Sequence, residues 1–157
     1  MVEELRFHQD LFLVTSVRTP LARRQTIGLK EIAGLPLVSH ALPSAIRTRI
    51  SETAAKYGVP LRWIYEIDSL GAIKQLVSEG DCHTILPMAA FWQEVAAGRL
   101  AAARIVDPHV FLPLTLASSR SGVVSLPAKK LISIIRDVIQ SSVDSGSLVG
   151  QACSAAS

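Results

Sequence analysis

The residues of this sequence with the most reactive side chains are its cysteines and histidines. Cys82 and His83 are adjacent, and a thiol next to an imidazole is a familiar nucleophile–base pair. Neighbouring residues of a strand point to opposite faces, so these two side chains are not expected to form a hydrogen bond. A buried, inert cysteine is the better interpretation of Cys82. The four histidines have no metal-ligand spacing, so no metal site is predicted from them: His8, His40, His83 and His109.

The short motifs typical of enzymes are missing from the sequence. It contains no G-x-S-x-G, no phosphate-binding P-loop and no G-x-G-x-x-G. The acidic residues Glu66, Asp68 and Asp81 are not spaced for general acid–base work. We therefore predict a protein that is not an enzyme, with no catalytic residue and no cofactor.

A second group of polar residues lies where predicted strands end and predicted helices begin. The free N–H groups and the dipole at a helix N-terminus favour anions. Arg47 lies in a first helical turn, where a cation opposes the dipole by about 0.3–1 kcal/mol, and a bound carboxylate would offset this. We predict a small, anionic ligand held by Ser39, His40, Pro43, Ser44, Arg47, Ser69, Leu70, Pro87 and Met88. In the alternative interpretation, Ser44 and Ser69 are only helix caps and Arg47 is only surface charge.

The elements that must position these residues are organised around residues 61–87. Residues 61–67 alternate with a period of two, which predicts a strand. Leu70, Ile73, Leu76 and Val77 recur at helical spacing before Gly80, a typical helix end. His83 to Leu86 is a second short strand. The pattern predicts a βαβ unit with two neighbouring parallel strands, and such units bind ligands at the carboxyl ends of their strands.

The rest of the chain continues the alternation of strands and helices, which predicts an α/β fold. Further strands are predicted at residues 11–15, 35–41, 104–106 and 110–118, and further helices at residues 44–57, 89–97 and 127–143. Residues from about Ser145 onward are small and polar and are predicted to form a frayed tail. The buried stripe of the last helix is predicted to be Leu131, Ile132, Ile135, Val138 and Ile139.

Composition limits the classes of function. The chain has 157 residues, which suits one domain. Its formal charge is only +3, and the sequence shows no basic face that would bind nucleic acid. The two cysteines are not expected to pair, which favours a reducing cytoplasm. No apolar run is long enough for a secretion signal or a membrane span, so no contact with a membrane is predicted.

Residues 65–87 resemble the effector-binding, or substrate-binding, domain of LysR-type transcriptional regulators. The phrase is EIDSLGAIKQLVSEG followed by HTILP, and the resemblance is closest to nitrogen-assimilation-control-like members. It extends from about Leu5 to about Val143. Four shorter phrases support it in order and spacing: residues 10–14 (DLFLV), 19–22 (TPLA), 34–38 (GLPLV) and 94–100 (EVAAGRL).

The resemblance implies a type II periplasmic-binding-protein-like fold, here partial, with an effector in the cleft between two subdomains. Residues 1–18 and 110–143 would be a remnant of subdomain I, residues 19–109 would form subdomain II, and residues 144–157 would be a flexible tail. The family's DNA-binding segment and the start of subdomain I have no counterpart in these residues. A fragment of a longer regulator, a truncated gene or a free-standing second subdomain would each explain this.

The family's partners follow from the same resemblance. We expect a small-molecule effector, a homo-oligomer (dimer or tetramer), and contact with DNA only through the missing N-terminal domain. Apolar surfaces left by a partial subdomain would also favour association with another chain. A solute-binding protein of the same fold is one alternative function, and an enzyme on a doubly wound sheet is the other.

Overall fold

The fold is described from a computed structural model, which describes residues 2–118 and 125–153. The contacts divide the chain into two compact units. Residues 10–112 form what we call the large unit, and residues 1–9 with 113–157 form the small unit. The predicted subdomain boundaries at residues 18/19 and 109/110 stay a prediction.

The chain contains eight strands and four α-helices within the described residues. The helices are α1 (Ala45–Lys56), α2 (Leu70–Glu79), α3 (Trp92–Ala96) and α4 (Leu126–Asp144). The strands are β1 (Val2–Ser16), β2 (Thr26–Gly28), β3 (Pro36–Ser39), β4 (Arg62–Glu66), β5 (Thr84–Pro87), β6 (Leu100–Val106), β7 (Phe111–Ser118) and β8 (Gly150–Cys153). Helices alternate with strands through most of the chain, as the predicted α/β class requires.

The large unit is built on a mixed sheet. The second half of β1 pairs antiparallel with β5 on one side and with β6 on the other, and β2 runs parallel to β6. β3 and β4 run parallel to each other, and a parallel bridge joins Leu37 of β3 to His83, just before β5. β4, β3 and β5 therefore all run in the same direction.

The order of these three strands corrects one prediction. The strands at residues 61–67 and 83–86 were expected to be neighbours, but β3 lies between them. The exposure of the side chains explains this order. Leu37 and Val38 of β3 are fully buried, as suits a central strand, whereas Tyr65 of β4 is 55% exposed, as suits an outer one. The predicted parallel direction of β4 and β5 is confirmed.

The helices of the large unit pack through short apolar stripes. Ile73 and Val77 of α2 are fully buried, and so is Ile50 of α1. Burial of each such side chain contributes about 1.5–3 kcal/mol. Gly80 ends α2 with a φ of 100°, a left-handed conformation that glycine adopts without strain. The core cluster that Ile50 joins also includes Leu11, Leu13, Ile27, Leu37, Ile85 and Ile105.

The small unit contains α4 and two strands that pair with β1. β7 pairs with β1, and β8 pairs antiparallel with it, from Arg6 opposite Cys153 to Gln9 opposite Gly150. The predicted buried stripe of α4 is partly wrong, because Leu131 is 57% exposed and Val138 is 58% exposed. Apolar residues lie on more than one side of this helix, and the described part of the small unit covers only one of them.

The frayed tail predicted from Ser145 is also partly wrong, because Gly150–Cys153 form strand β8. Composition predicts a tail here, but the backbone approaches β1 closely at Gly150. A Cβ atom at this position would overlap the carbonyl oxygen of His8, so the residue must be glycine. The last four residues of that predicted tail lie outside the described part of the chain.

Candidate ligand-binding site

The carboxyl ends of β3, β4 and β5 meet at one edge of the large unit, because the three strands run in the same direction. Ser39 ends β3 and Pro87 ends β5. The backbone N–H of Ile67, just after β4, donates a 2.9 Å hydrogen bond to the carbonyl oxygen of Ser39. The three loops that carry the predicted ligand-binding residues therefore begin at the same edge, which we call the mouth.

The first helix at the mouth is α1. Its cap is Ser44, whose Oγ accepts a 3.3 Å hydrogen bond from the backbone N–H of Arg47. The Ser39 hydroxyl is buried and donates to the carbonyl oxygen of His40 at 2.9 Å, so it serves the loop itself. Pro43 is exposed and His40 is half-buried. The first turn of α1 contains no acidic residue, so its positive dipole end is not neutralised within the helix.

The second helix at the mouth is α2. Its cap is Ser69, whose Oγ accepts a 3.3 Å hydrogen bond from the backbone N–H of Ala72. Leu70 is the first residue of the helix, and the first turn again contains no acidic residue. Pro87 is buried, whereas Met88 begins a single 3-10 turn. Ser44 and Ser69 are therefore helix caps, and a role in binding a ligand stays a prediction.

Arg47 is the one charged side chain among the predicted ligand-binding residues. Its Nη1 lies 2.5 Å from Oε1 of Glu66, at the end of β4. Its guanidinium carbon lies 5.2 Å from the centre of the Trp63 ring, a cation–π distance. Arg47 therefore bridges the first turn of α1 and the end of β4.

Glu66 and Trp63 were not predicted as site residues, and a local irregularity in β4 explains why. Residues three apart on a regular strand point to opposite faces. Leu37 pairs with Trp63 but Val38 pairs with Tyr65, so the register shifts by one residue at Ile64. The extra residue lets Trp63 and Glu66 both contact Arg47. Period-two alternation in the sequence contains no signal for such a shift.

A further set of contacts joins α1 to the start of β7. Nε of Arg49 donates a 3.1 Å hydrogen bond to the carbonyl oxygen of Phe111, and its guanidinium carbon lies 5.0 Å from the centre of the Phe111 ring. Nearby, Nε2 of His109 is 2.8 Å from Oδ1 of the buried Asp10, which also pairs with Arg104 at 3.5 Å. The sequence separations are too large for pattern-based prediction to find these contacts.

The adjacent Cys82 and His83 are both buried. Burial, followed by the nearby Asp81 carboxylate, raises the pKa of the Cys82 thiol. Burial also lowers the pKa of His83, whose Nδ1 lies 3.0 Å from Oγ1 of Thr15. Both shifts favour the neutral side chains, so Cys82 is not activated as a thiolate and His83 is held in the core.

Three cavities of the structure lie apart from the predicted ligand-binding residues. A polar one of about 410 Å³ is lined by Arg18, Thr19 and Arg23 among others, and one of about 180 Å³ lies beside Lys74 and Glu94. In the small unit, an apolar one of about 300 Å³ lies between β1, α4 and β8. Across residues 2–118 and 125–153, no cluster of acidic, histidine and cysteine side chains suits a metal ion. None of the described helices has the length and apolarity that a membrane span needs.

Comparison with protein families gives one match over most of the chain. Residues 2–140 match the model of the LysR substrate binding domain. Two curated relatives are named as regulators. The chain is 26% identical over 114 residues to the HTH-type regulator BbuR of Bordetella bronchiseptica, and 27% identical over 139 residues to the nitrogen assimilation regulatory protein Nac of Klebsiella aerogenes.

These alignments cover 73% and 88% of this chain but only 35% and 45% of BbuR and Nac. The chain therefore spans less than half the length of the curated relatives that it matches.

Solved structures show the same fold. The regulatory domain of MetR from N. meningitidis aligns with a TM-score of 0.73 and 15% identity, over 94% of this chain and 66% of that domain's chain. The effector-binding domain of QuiR in complex with shikimate aligns with a TM-score of 0.60 and 21% identity, over 82% and 59% of the two chains. The regulatory domain of CcmR from Synechocystis in complex with 2-PG aligns with a TM-score of 0.67 and 18% identity, over 85% and 64%.

Proposed function

The chain belongs to the family of LysR substrate-binding domains, and we propose that it senses a small anionic metabolite at the mouth formed by β3, β4 and β5. It is an effector-binding domain with a type II periplasmic-binding-protein-like fold. The predicted residues would bind the effector with backbone N–H groups, serine hydroxyls and the guanidinium of Arg47.

One observation carries the choice of an anion. The N-termini of α1 and α2 lie at one mouth, each is capped by a serine, and neither has an acidic residue in its first turn. Two positive dipole ends and the Arg47 cation near them make this edge favourable for negative charge. QuiR binds shikimate, which contains a carboxylate, and this agrees with the proposed class of ligand.

The whole regulator would do more than these residues do. We propose that it binds DNA through a part outside the matched region, as the names of BbuR and Nac suggest for those proteins. We further propose that it works in the cytoplasm as a dimer or tetramer. Ligand binding would favour one of two conformations and thereby change the affinity for DNA.

A thermal-shift screen tests the ligand class, because a ligand that binds only the folded state raises its stability. The panel pairs carboxylates with their neutral amides and includes shikimate. We expect at least one carboxylate, but not its amide, to raise the melting temperature. No stabilisation by any anion of the panel would contradict the proposal.

The serine caps allow a matched test of where the anion binds. Glycine also caps helices, at a cost of only a few tenths of a kcal/mol, but removes the hydroxyl. Ser44→Gly and Ser69→Gly should each weaken binding of a carboxylate identified in the screen by about threefold to tenfold, the value of one hydrogen bond. Ser125→Gly is the control, because Ser125 caps α4 in the small unit. Equal weakening by Ser125→Gly would contradict the proposed location.

A further inference from the structure

Arg47 already contacts a carboxylate in this structure, and that carboxylate is part of the chain. Oε1 of Glu66 lies 2.5 Å from Nη1 of Arg47, beside the Trp63 ring. Glu66 ends β4, at the mouth where the anion is proposed to bind. Its carboxylate therefore takes the position next to the guanidinium that the carboxylate of a ligand would need.

The two partners of this ion pair are held very differently. The side chain of Arg47 is 13% exposed and rests against Trp63, whereas the side chain of Glu66 is 52% exposed. When the Glu66 side chain rotates into solvent, water solvates its carboxylate. Arg47 has no such alternative, because its guanidinium would stay largely buried without a counter-ion, which is costly. Glu66 is therefore the partner that can be exchanged.

The contact with Glu66 also satisfies Arg47 incompletely. Nη1 of Arg47 is buried and has no hydrogen-bond partner of adequate geometry among the described residues, although the Glu66 oxygen is close to it. The ion pair thus neutralises the charge but leaves a buried donor without a well-aligned acceptor. A free carboxylate can orient for the bidentate geometry that guanidinium groups prefer.

We propose that Glu66 is a specificity-determining competitor, which occupies Arg47 in the ligand-free protein and is displaced by the carboxylate of the effector. This inference rests on the proposed function and adds the chemical class of the ligand. A neutral molecule cannot replace Glu66, because Arg47 would lose its counter-charge. A carboxylate replaces one negative partner with another, so the exchange keeps the guanidinium neutralised and releases Glu66 to solvent.

Acetate is the simplest probe of this exchange, and acetamide is its neutral counterpart. We would titrate each into the full chain and follow the side-chain Nε–H signal of Arg47 by nuclear magnetic resonance. Glu66→Gln removes the competing charge at a largely exposed position. The variant is expected to bind acetate about tenfold more tightly than the wild-type chain, as the loss of one charge-assisted contact implies. The affinity for acetamide should be the same in the variant and in the wild-type chain.

Glu79→Gln is the matched control. Glu79 is the last residue of α2 and is exposed, so its substitution makes the same change in net charge away from Arg47. We expect the control to bind acetate as the wild-type chain does. Glu66→Asp, which keeps the charge on a shorter side chain, should give an intermediate affinity and provides the same test if Glu66→Gln folds poorly.

Two results would overturn the inference. One is an unchanged affinity for acetate in Glu66→Gln, and the other is an equal gain in Glu79→Gln. Adding Arg47→Gln to Glu66→Gln should abolish the tighter binding, and persistence of the tighter binding would likewise exclude Arg47 as the group that binds the carboxylate. The wild-type chain could bind a carboxylate of the screen while Glu66→Gln binds that carboxylate and acetate with unchanged affinity. That result would leave the proposed function standing and would remove only the competitor role of Glu66.

Discussion

At the scale of single residues, burial decides which polar side chains of this domain can respond to their surroundings. His83 is 7% exposed and contacts Thr15, whereas Glu66 is half-exposed and contacts Arg47. Both are polar residues at the ends of β-strands in the sequence. The sequence alone does not separate them, because their burial depends on the neighbouring strands. His83 lies beside both β1 and β3, whereas Glu66 lies on the outer strand β4.

The buried His83 predicts how stability depends on pH. Burial lowers its pKa in the folded chain below the ordinary value of 6.5, so the unfolded chain binds more protons in the interval between the two values. Its contribution to the free energy of unfolding is therefore complete above pH 6.5 and falls as the pH decreases through 6.5 towards the folded-state pKa. Urea unfolding between pH 8 and pH 5 measures this loss.

Two variants isolate the cause of that pH dependence. His83→Asn should show a smaller loss of stability on acidification, because the titrating group is gone. Thr15→Val keeps His83 buried but removes the hydroxyl partner, so we expect it to lower stability by about 1 kcal/mol while the pH dependence persists. The same pH dependence in His83→Asn as in the wild-type chain would show that another group is responsible.

At the scale of elements, α1 is the helix that joins the mouth to the start of β7. Arg47 in its first turn contacts the end of β4, and Arg49 contacts Phe111 by a hydrogen bond and by its position over the ring. Any shift of α1 caused by a ligand at its N-terminus would therefore also act on the first residue of β7.

The ring contact between Arg49 and Phe111 can be measured by a double-mutant cycle in unfolding experiments. Arg49→Met and Phe111→Leu should show a coupling energy of about 0.5–1 kcal/mol, the range of a cation–π pair at a partly exposed site. The Lys56–Tyr57 pair, with 5.9 Å from Nζ to the ring centre, is the control, and Tyr57 is 48% exposed. We expect Lys56→Met and Tyr57→Leu to be nearly additive. Additivity in both cycles would mean that the ring contact adds nothing to the hydrogen bond between Arg49 and the Phe111 carbonyl oxygen.

Prediction from sequence succeeds for these elements where the cause is local. The caps Ser44 and Ser69 are found because a serine before a helical stripe satisfies nearby N–H groups. The position of β3 between β4 and β5 is missed, since sequence order does not determine order in a sheet. The register shift at Ile64 is missed too, because it depends on pairing with β3.

At the scale of the whole molecule, α4 presents an apolar surface that the described residues do not cover. Leu131, Ile134 and Val138 are spaced three and four residues apart and are each about half-exposed, at 57%, 48% and 58%. Exposed apolar side chains in a row favour association with another surface. This agrees with the proposed oligomer and gives it a specific test.

We expect the chain to self-associate through this surface of α4. Leu131→Gln combined with Val138→Gln should shift the population towards the monomer, with the molar mass measured by light scattering across a range of concentrations. Substitutions at such exposed positions usually change the free energy of unfolding by less than about 0.5 kcal/mol, so the fold should persist. Lys129→Gln with Lys130→Gln, on the same helix but polar, is the control. A wild-type chain that is monomeric at every concentration would contradict the expectation.

The register shift at Ile64 has a consequence for how such domains can diversify. Without the shift, the same residues would pair Tyr65 rather than Glu66 with Ser39, and Glu66 would point to the opposite face, away from the guanidinium of Arg47. Relatives that share these residue types but pair the outer strand regularly with β3 would therefore lack the acidic partner of the guanidinium and would differ in their preference for charged metabolites.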